Sequence, residues 1–362
     1  MPLRLVRKIQ MKRQNMLSKD NLFLPSGYVN MDAAINCGVP FIFLWGGRGT
    51  GKTYGFIDYV LRNNIKFALM RRTQSQHEII QKPETSPFKS WCMDNDIDIG
   101  INPIGKYVGG IYNMETVNNK RIPQGAPIGY TLALSTISNV RGFDMSDVLI
   151  LGYDEFIPER HERPIKGEAD ALFNAYETIN RNRELKGKPP LILICMANAN
   201  MLANPIFMGL NLVRKAEEME RTGKQYSIDK RRGICMINLC DSHISEAKRD
   251  TALYRMARGT QFSEMALSNV FASEEYGRIK SRNLSEYTPV VAVGEITIYK
   301  HKSGGRYYAC GHKTGTPVTF GSGDIELLRF KKQFDWIWRQ YIADNIEFEE
   351  HIIEILFNQY FK

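Results

Sequence analysis

Phe41-Ile42-Phe43-Leu44-Trp45-Gly46-Gly47-Arg48-Gly49-Thr50-Gly51-Lys52-Thr53 sets an apolar run directly against a glycine-rich loop that ends in Lys-Thr. Residues 46–53 fit G-x-x-x-x-G-K-[ST] without a mismatch. They stand where a phosphate-binding loop must, between a buried strand and a helix. Glycines there let backbone N–H groups converge on phosphate oxygens, and the following helix turns its positive N-terminus toward them. Gly46, Gly47, Arg48, Gly49, Thr50, Gly51, Lys52 and Thr53 are the candidate ATP-binding residues, with Lys52 placed to reach the β- and γ-phosphates and Thr53 to hold Mg2+. A glycine-rich turn that matched by chance would lack the flanking strand and helix patterns.

Working outward, Val148-Leu149-Ile150-Leu151-Gly152-Tyr153 has the pattern of a buried parallel strand and ends in Asp154-Glu155. Asp154 is suited to hold magnesium through its water shell, and Glu155 to polarise an attacking water. A small-molecule kinase has no need of that glutamate, because its acceptor is not water. The pair therefore predicts hydrolysis, where a strand end that merely exposes two acids would predict none.

Further core strands are expected at 65–70, ending in Arg71-Arg72, at Leu191–Met196, ending in Ala197-Asn198, and at 234–239. Helices are expected near 52–63 and 168–183. Strands alternating with helices predict a three-layer α/β sandwich, with the nucleotide at the carboxyl ends of the strands. Residues 98–135 read as antiparallel hairpins with turns at Gly109-Gly110 and Asn118-Asn119, and Thr131–Ser135 as a separate short strand. The pattern changes near residue 245. We expect a P-loop domain over 1–245, a helical linker over 246–278 and a small α+β domain over 279–362, with a strand at 290–300 and another at 306–310.

The 362 residues carry a net charge of +9, of which residues 1–245 hold +8 and residues 246–362 hold +1. An excess on the nucleotide-binding half suits a polyanion passing across it, although solubility alone also produces basic surfaces. Arg4, Arg7, Lys8, Lys12, Arg13 and Lys19 precede any acid and read as a basic arm, without the apolar core of a secretory signal. No run is long enough to span a membrane. The six scattered cysteines form no disulfide framework, which suits a reducing compartment, and Cys310 with His312 and His301 matches no zinc spacing, so no metal besides magnesium is expected.

Four motifs in fixed order carry a resemblance: the loop at 46–53, Asp154-Glu155-Phe156-Ile157, Arg181-Asn182-Arg183-Glu184, and Met196-Ala197-Asn198-Ala199 followed by Asn204-Pro205. Across roughly 41–210 the chain resembles the phi-29-like DNA-encapsidation ATPases of tailed phages, relatives of the large-terminase ATPase. The resemblance implies an ATP-driven motor of the ASCE class of P-loop NTPases, working as a homo-oligomeric ring, a pentamer in that family. The ring sits on a capsid portal, in some cases through a packaging RNA, and threads viral double-stranded DNA inward. It implies a location in the host cytoplasm with transient attachment to the procapsid and absence from the mature virion.

It also implies that Arg181 is a finger reaching the neighbouring subunit's ATP, with Arg183 competing for that role, and that Asn198 is a sensor of the γ-phosphate. Arg71 and Arg72 are candidate contacts to DNA or nucleotide phosphate, or simply exposed. Lys224, Lys230, Arg231 and Arg232 form a second basic cluster, readable as a DNA contact or as a solvated hairpin. Large terminases add a nuclease of ribonuclease-H type, which needs clustered acids for two metals. Residues 290–300 offer only Glu295, and Asp324 and Glu326 fall in a Gly-rich segment, so the expectation is a nuclease-dead version. A helicase-like translocase, a nucleotide switch that dispenses with Glu155, and a terminase with active nuclease are the competing readings.

Overall fold

Phe41–Gly46 forms the strand β1, whose side chains from Ile42 onward are buried. The structure, a computed structural model, describes residues 17–140, 142–158, 162, 165, 167–198, 202–240, 242–260, 278–315 and 317–361. Apart from Lys19, the basic arm lies outside the described residues, as does most of the expected linker. The chain divides into two units, residues 1–270 and 271–362, so the division falls inside the stretch expected as linker.

In the first unit β1 is followed by β2 (Phe67–Arg71), β3 (Ile99–Pro103), β4 (Val108–Val117), β5 (Lys120–Ala133), β6 (Ile150–Asp154), β7 (Ile192–Asn198), β8 (Tyr226–Asp229) and β9 (Ile234–Asn238). They form one sheet in the order β3-β4-β5-β2-β6-β7-β1-β9-β8. The six strands from β5 to β9 in that order are parallel, and β3, β4 and β8 pair antiparallel at the edges. Strand β7 lies between the loop-bearing β1 and the acid-bearing β6, the ASCE arrangement. Parallel strands need both faces covered, which explains why β1, β2, β6 and β7 are near-continuous apolar runs.

One close approach fixes the phosphate-loop helix, Lys52–Arg62, against β6. A Cβ at Gly152 would fall 2.5 Å from Phe56 Cζ, so only glycine lets this helix sit down on the acid-bearing strand. The expected turn at Gly109-Gly110 lies inside β4 instead. There a Cβ would come 2.5 Å from Thr131 Oγ1 at Gly109 and 2.6 Å from the Tyr112 ring at Gly110, so these glycines serve packing and not reversal. Asn118-Asn119 does make the turn, with both residues left-handed. Thr131–Ala133 is the end of the long β5, and a 3-10 turn, Leu134–Val140, follows it.

The second unit has a five-stranded sheet of β10 (Tyr287–Val293), β11 (Ile296–His301), β12 (Tyr307–Cys310), β13 (Val318–Phe320) and β14 (Ile346–Phe348), in the order β13-β10-β11-β12-β14. The expected strand at 290–300 is a hairpin, β10 and β11, that turns at Gly294-Glu295. Asp324 and Glu326 open the helix Asp324–Ile342, which with His351–Phe361 supplies Phe330, Phe334, Ile337 and Phe357 to the core.

Candidate active site

Gly49 and Gly51 adopt left-handed φ values of 72° and 87°, which side-chain-bearing residues rarely accept, so the loop's curvature is written into these positions. Thr50 Oγ1 donates to the Gly47 carbonyl at 3.1 Å, and the Thr50 carbonyl accepts from Val29 N–H at 3.0 Å. Lys52 begins the helix and turns its ammonium back under the loop. Its Nζ donates to the carbonyls of Gly46 (3.2 Å) and Gly47 (2.8 Å), to Thr50 Oγ1 (3.2 Å) and to Asn198 Oδ1 (3.3 Å). Burial pushes the pKa of Lys52 down to about 7, Asp154 opposes that shift, and Lys248 and Arg48 add to it.

Pairing of β1 with β7 sets Gly46 opposite Asn198, and pairing of β7 with β6 sets Met196 opposite Asp154. Consequently the loop, Asn198 and the acid pair meet at the carboxyl ends of three adjacent strands. Thr53 Oγ1 donates to Asp154 Oδ2 at 2.9 Å. A hydroxyl and a carboxylate are the oxygen donors that Mg2+ prefers, and here they lie beside a glycine-rich loop whose form suits phosphate. Glu155 follows in a left-handed conformation, φ 60°, with its N–H donating to Asp154 Oδ1 at 3.1 Å. That uncommon backbone state points consecutive carboxylates toward the same end of the sheet.

Arg71 belongs to this constellation. It ends β2, the neighbour of β6, and its guanidinium bridges Asp154 Oδ2 (3.1 Å) and Glu155 Oε2 (3.0 Å). The Glu155 side chain is 48% exposed, yet desolvation is the largest influence and raises its pKa, while Arg71 pulls it down. Arg72 is different. It is 1% exposed and its guanidinium grips Glu168 at 2.7 and 3.0 Å, with Glu162 at 3.6 Å, which removes it as a contact for DNA or nucleotide. Tyr153 Oη also donates to Glu168, at 3.2 Å.

The two arginines of Arg181-Asn182-Arg183 divide in the same way. Arg183 is buried, and its Nη2 donates to the carbonyls of Ser146 (3.0 Å) and Val148 (2.6 Å), so it staples the chain just before β6 and is withdrawn as a finger. Arg181 is 38% exposed, donates to the Phe143 carbonyl at 3.0 Å and pairs with Asp144 at 3.3 Å. Both lie at the amino ends of the parallel strands, and the loop lies at the carboxyl ends. A five-residue strand at ~3.3 Å per residue separates them by roughly 16 Å, beyond the reach of an arginine side chain toward its own loop.

The second basic cluster also separates. Lys230, Arg231 and Arg232 are exposed on the β8–β9 turn at the amino end of β9, beside Pro40 through Gly233. Lys224 is exposed at the other end of the same hairpin, about 20 Å of extended chain away at ~3.3 Å per residue. The four do not form one patch.

Lys248 escaped the sequence reading. It closes the short helix His243–Lys248, and its Nζ donates to the Arg48 carbonyl on the crown of the loop. A polar stretch after the last strand carries no motif that would single it out. Arg71 was read for the right neighbourhood but not for its carboxylate partners, because the adjacency of β2 and β6 is not in the local sequence.

In the second unit Glu295 stands in a turn, and Glu347 on β14 is held by Arg282 (2.7 and 2.8 Å) and Lys280 (3.0 Å), which lower its pKa to about 2. Among the described residues no three His, Cys, Asp or Glu come together as a metal site.

Residues 25–304 match the family model of the Podovirus DNA encapsidation protein (Gp16). The DNA packaging proteins of Bacillus phages PZA and phi29 are each 26% identical over 277 residues, covering 74% of this chain and 71% of theirs. Among solved structures, the bacteriophage Phi-29 viral genome packaging motor assembly is similar over 92% of this chain and 98% of that one, at 18% identity and a TM-score of 0.63. The Phi-28 gp11 DNA packaging motor is similar over 90% and 95%, at 20% identity and a TM-score of 0.57. With more than half its length matched by the family model, the chain belongs to the Podovirus DNA encapsidation protein (Gp16) family.

Proposed function

We propose that this chain hydrolyses ATP with Mg2+ and uses the energy to drive viral double-stranded DNA into a capsid. The observation that carries the hydrolytic part is the 2.9 Å bond from Thr53 to Asp154, which joins the phosphate loop to an acid pair with Glu155 beside it. Lys52 and the loop amides would hold the phosphates, Thr53 and Asp154 would hold Mg2+, and Glu155 would orient and polarise the attacking water. When bound, Mg2+ neutralises charge that develops on the transferred phosphoryl group. Asn198 touches Lys52 and is positioned to register whether a γ-phosphate has drawn the ammonium away.

Arg181 serves the nucleotide of an adjacent subunit, a role supported by its exposure and its distance from its own loop. That role requires a ring of copies, and the number five comes from family resemblance. Attachment to a portal, directly or through a packaging RNA, belongs to the same proposal, as does transient residence on a procapsid in the host cytoplasm. Lys230, Arg231 and Arg232 are the better candidates for a phosphate-backbone contact, being exposed together. The second unit does not cut DNA in this reading, since Glu347 is neutralised by two cations and Glu295 belongs to no acid cluster among the described residues. Tests are direct: the ATPase rate with and without double-stranded DNA, beside the mass in solution. Wild-type protein should hydrolyse ATP and respond to DNA, while Glu155→Gln should bind ATP and lose turnover by about 10²–10⁴. Near wild-type turnover in Glu155→Gln would remove Glu155 from the mechanism.

A further inference from the structure

The helix His243–Lys248 is anchored at its start. Ser242 Oγ donates to the Gly27 carbonyl at 3.0 Å, and a Cβ at Gly27 would come within 3.2 Å of both His243 Cβ and Ile244 Cγ1. Upstream, Leu239 N–H donates to the Trp45 carbonyl at 2.8 Å, and a Cβ at Gly46 would meet Leu239 Cβ at 2.5 Å. The segment is therefore fastened to the strand that feeds the phosphate loop, and its last residue is delivered to the loop's crown. There Lys248 Nζ donates to the Arg48 carbonyl, and a Cβ at Gly49 would overlap Nζ and lie 3.2 Å from Cε.

The ammonium is half-buried here and gains little. Burial disfavours its charge, no carboxylate pairs with it among the described residues, and its charge works against that of the buried Lys52. One backbone carbonyl is a small return for crowding cations around a loop. An arriving polyanion changes that balance, since phosphate oxygens would accept from both ammonium groups at once. Lys52 approaches from the base of the loop, at the Gly46 and Gly47 carbonyls, and Lys248 from the crown, at Arg48 and Gly49.

We infer that Lys248 is a second phosphate-binding lysine, held at the Arg48 carbonyl on the crown of the loop and within a side-chain rotation of a nucleotide's phosphate chain. This rests on the reading of the loop as an ATP site. Gly49 then has two reasons to be glycine: its φ of 72°, and the space that Lys248 occupies.

Calorimetric titration of the full chain with MgATP tests it, using wild type, Lys248→Ala, Lys248→Arg and Lys52→Ala, with thermal melting of each protein alone. Lys248→Ala should weaken ATP binding by about ten- to a hundredfold, the loss expected for one charge-assisted hydrogen bond to phosphate. Lys248→Arg should recover most of that loss, and the melting temperature of Lys248→Ala without nucleotide should not fall. Unchanged ATP affinity in Lys248→Ala overturns the inference, and so does a loss that Lys248→Arg shares in full or that a lowered melting temperature accompanies. If wild type and Lys52→Ala alike bind no ATP, the ATP reading itself fails. If wild type binds and only Lys52→Ala is impaired, that reading stands and the role of Lys248 falls.

Discussion

Lys52 makes ATP affinity depend on pH in a direction the structure fixes. Its pKa is depressed to about 7, chiefly by burial. A bound triphosphate sets several negative charges against Nζ and should raise that pKa well above 9, so binding takes up a proton. Below pH 7 the loop is already charged and affinity is flat. Above it, recharging Lys52 is part of the cost of binding, and affinity falls by about tenfold per pH unit. Between pH 7 and pH 9 the proton-occupancy ratio changes about 50-fold, or roughly 2.3 kcal/mol. The nucleotide's own last proton titrates near pH 6 and leaves this window clean. Titration calorimetry in two buffers of different ionisation enthalpy should count about half a proton taken up at pH 7 and nearly one at pH 8.5. The unliganded fold has the opposite sign. A lysine whose pKa is lowered on folding contributes stability that grows as pH rises from about 7 toward the unfolded value, so the melting gain from ATP should narrow while the bare protein improves. An ATP affinity that is constant from pH 7 to pH 9 would mean that the four oxygens around Nζ keep Lys52 charged in the empty loop, and the reasoning would be refuted.

Removing the guanidinium in Arg71→Ala takes away the influence that lowers the Glu155 pKa, so the acid limb of the pH–rate profile should move to higher pH, and an unmoved limb would deny that Arg71 acts on Glu155. Glu168→Ala leaves the buried Arg72 with only the longer Glu162 contact as a carboxylate and should cost about 3–5 kcal/mol in chemical denaturation, whereas the double change Arg72→Met with Glu168→Met should recover most of it. A cost below about 1 kcal/mol for Glu168→Ala would reopen Arg72 as a surface contact. Mixing Glu155→Gln with Arg181→Ala protein should restore part of the ATPase rate, because a mixed ring contains sites with Glu155 from one copy and Arg181 from the next. No recovery in mixed oligomers of demonstrated composition would deny that Arg181 acts between subunits.

The parts of the site that were legible are those where one chemistry leaves one pattern. A phosphate loop needs left-handed glycines at fixed places, so Gly49 and Gly51 are visible in the string, and an acid pair must end a buried strand, so Val148–Tyr153 announces Asp154. What stayed hidden depends on which strands become neighbours. The order β2-β6-β7-β1 brings Arg71 to Asp154 and Asn198 to Lys52, and no local window contains either pairing. Glycine also misled at Gly109-Gly110, where close packing against Thr131 and Tyr112 demands a missing side chain just as a turn would. Strands β13 and β14, three residues each, are too short for periodicity to detect.

The two arginine doublets show why charge alone could not divide binding residues from structural ones. Successive side chains on a strand leave on opposite faces, so Arg71 and Arg72 at the end of β2 must part company. Arg71 meets the acid pair, and Arg72 turns into the protein, where only a fully buried carboxylate can justify it, and Glu168 supplies one. Glu168 in turn opens the helix Glu168–Asn180 at the phosphate end of the sheet. Thirteen residues at ~1.5 Å each carry the chain about 20 Å, enough to pass the roughly 16 Å of β6 at ~3.3 Å per residue, and Arg181 emerges at the opposite end. There the second doublet parts as the first did. Arg183 is consumed by two carbonyls ahead of β6, and Arg181, held left-handed at φ 45°, stays at the surface. Each doublet thus contributes one arginine to the frame and leaves the other for the role proposed for it, and the buried member of each holds an end of the same helix. A substitution at Arg72 or Arg183 that abolished activity would therefore report on the placement of that helix and not on a lost contact to DNA or nucleotide.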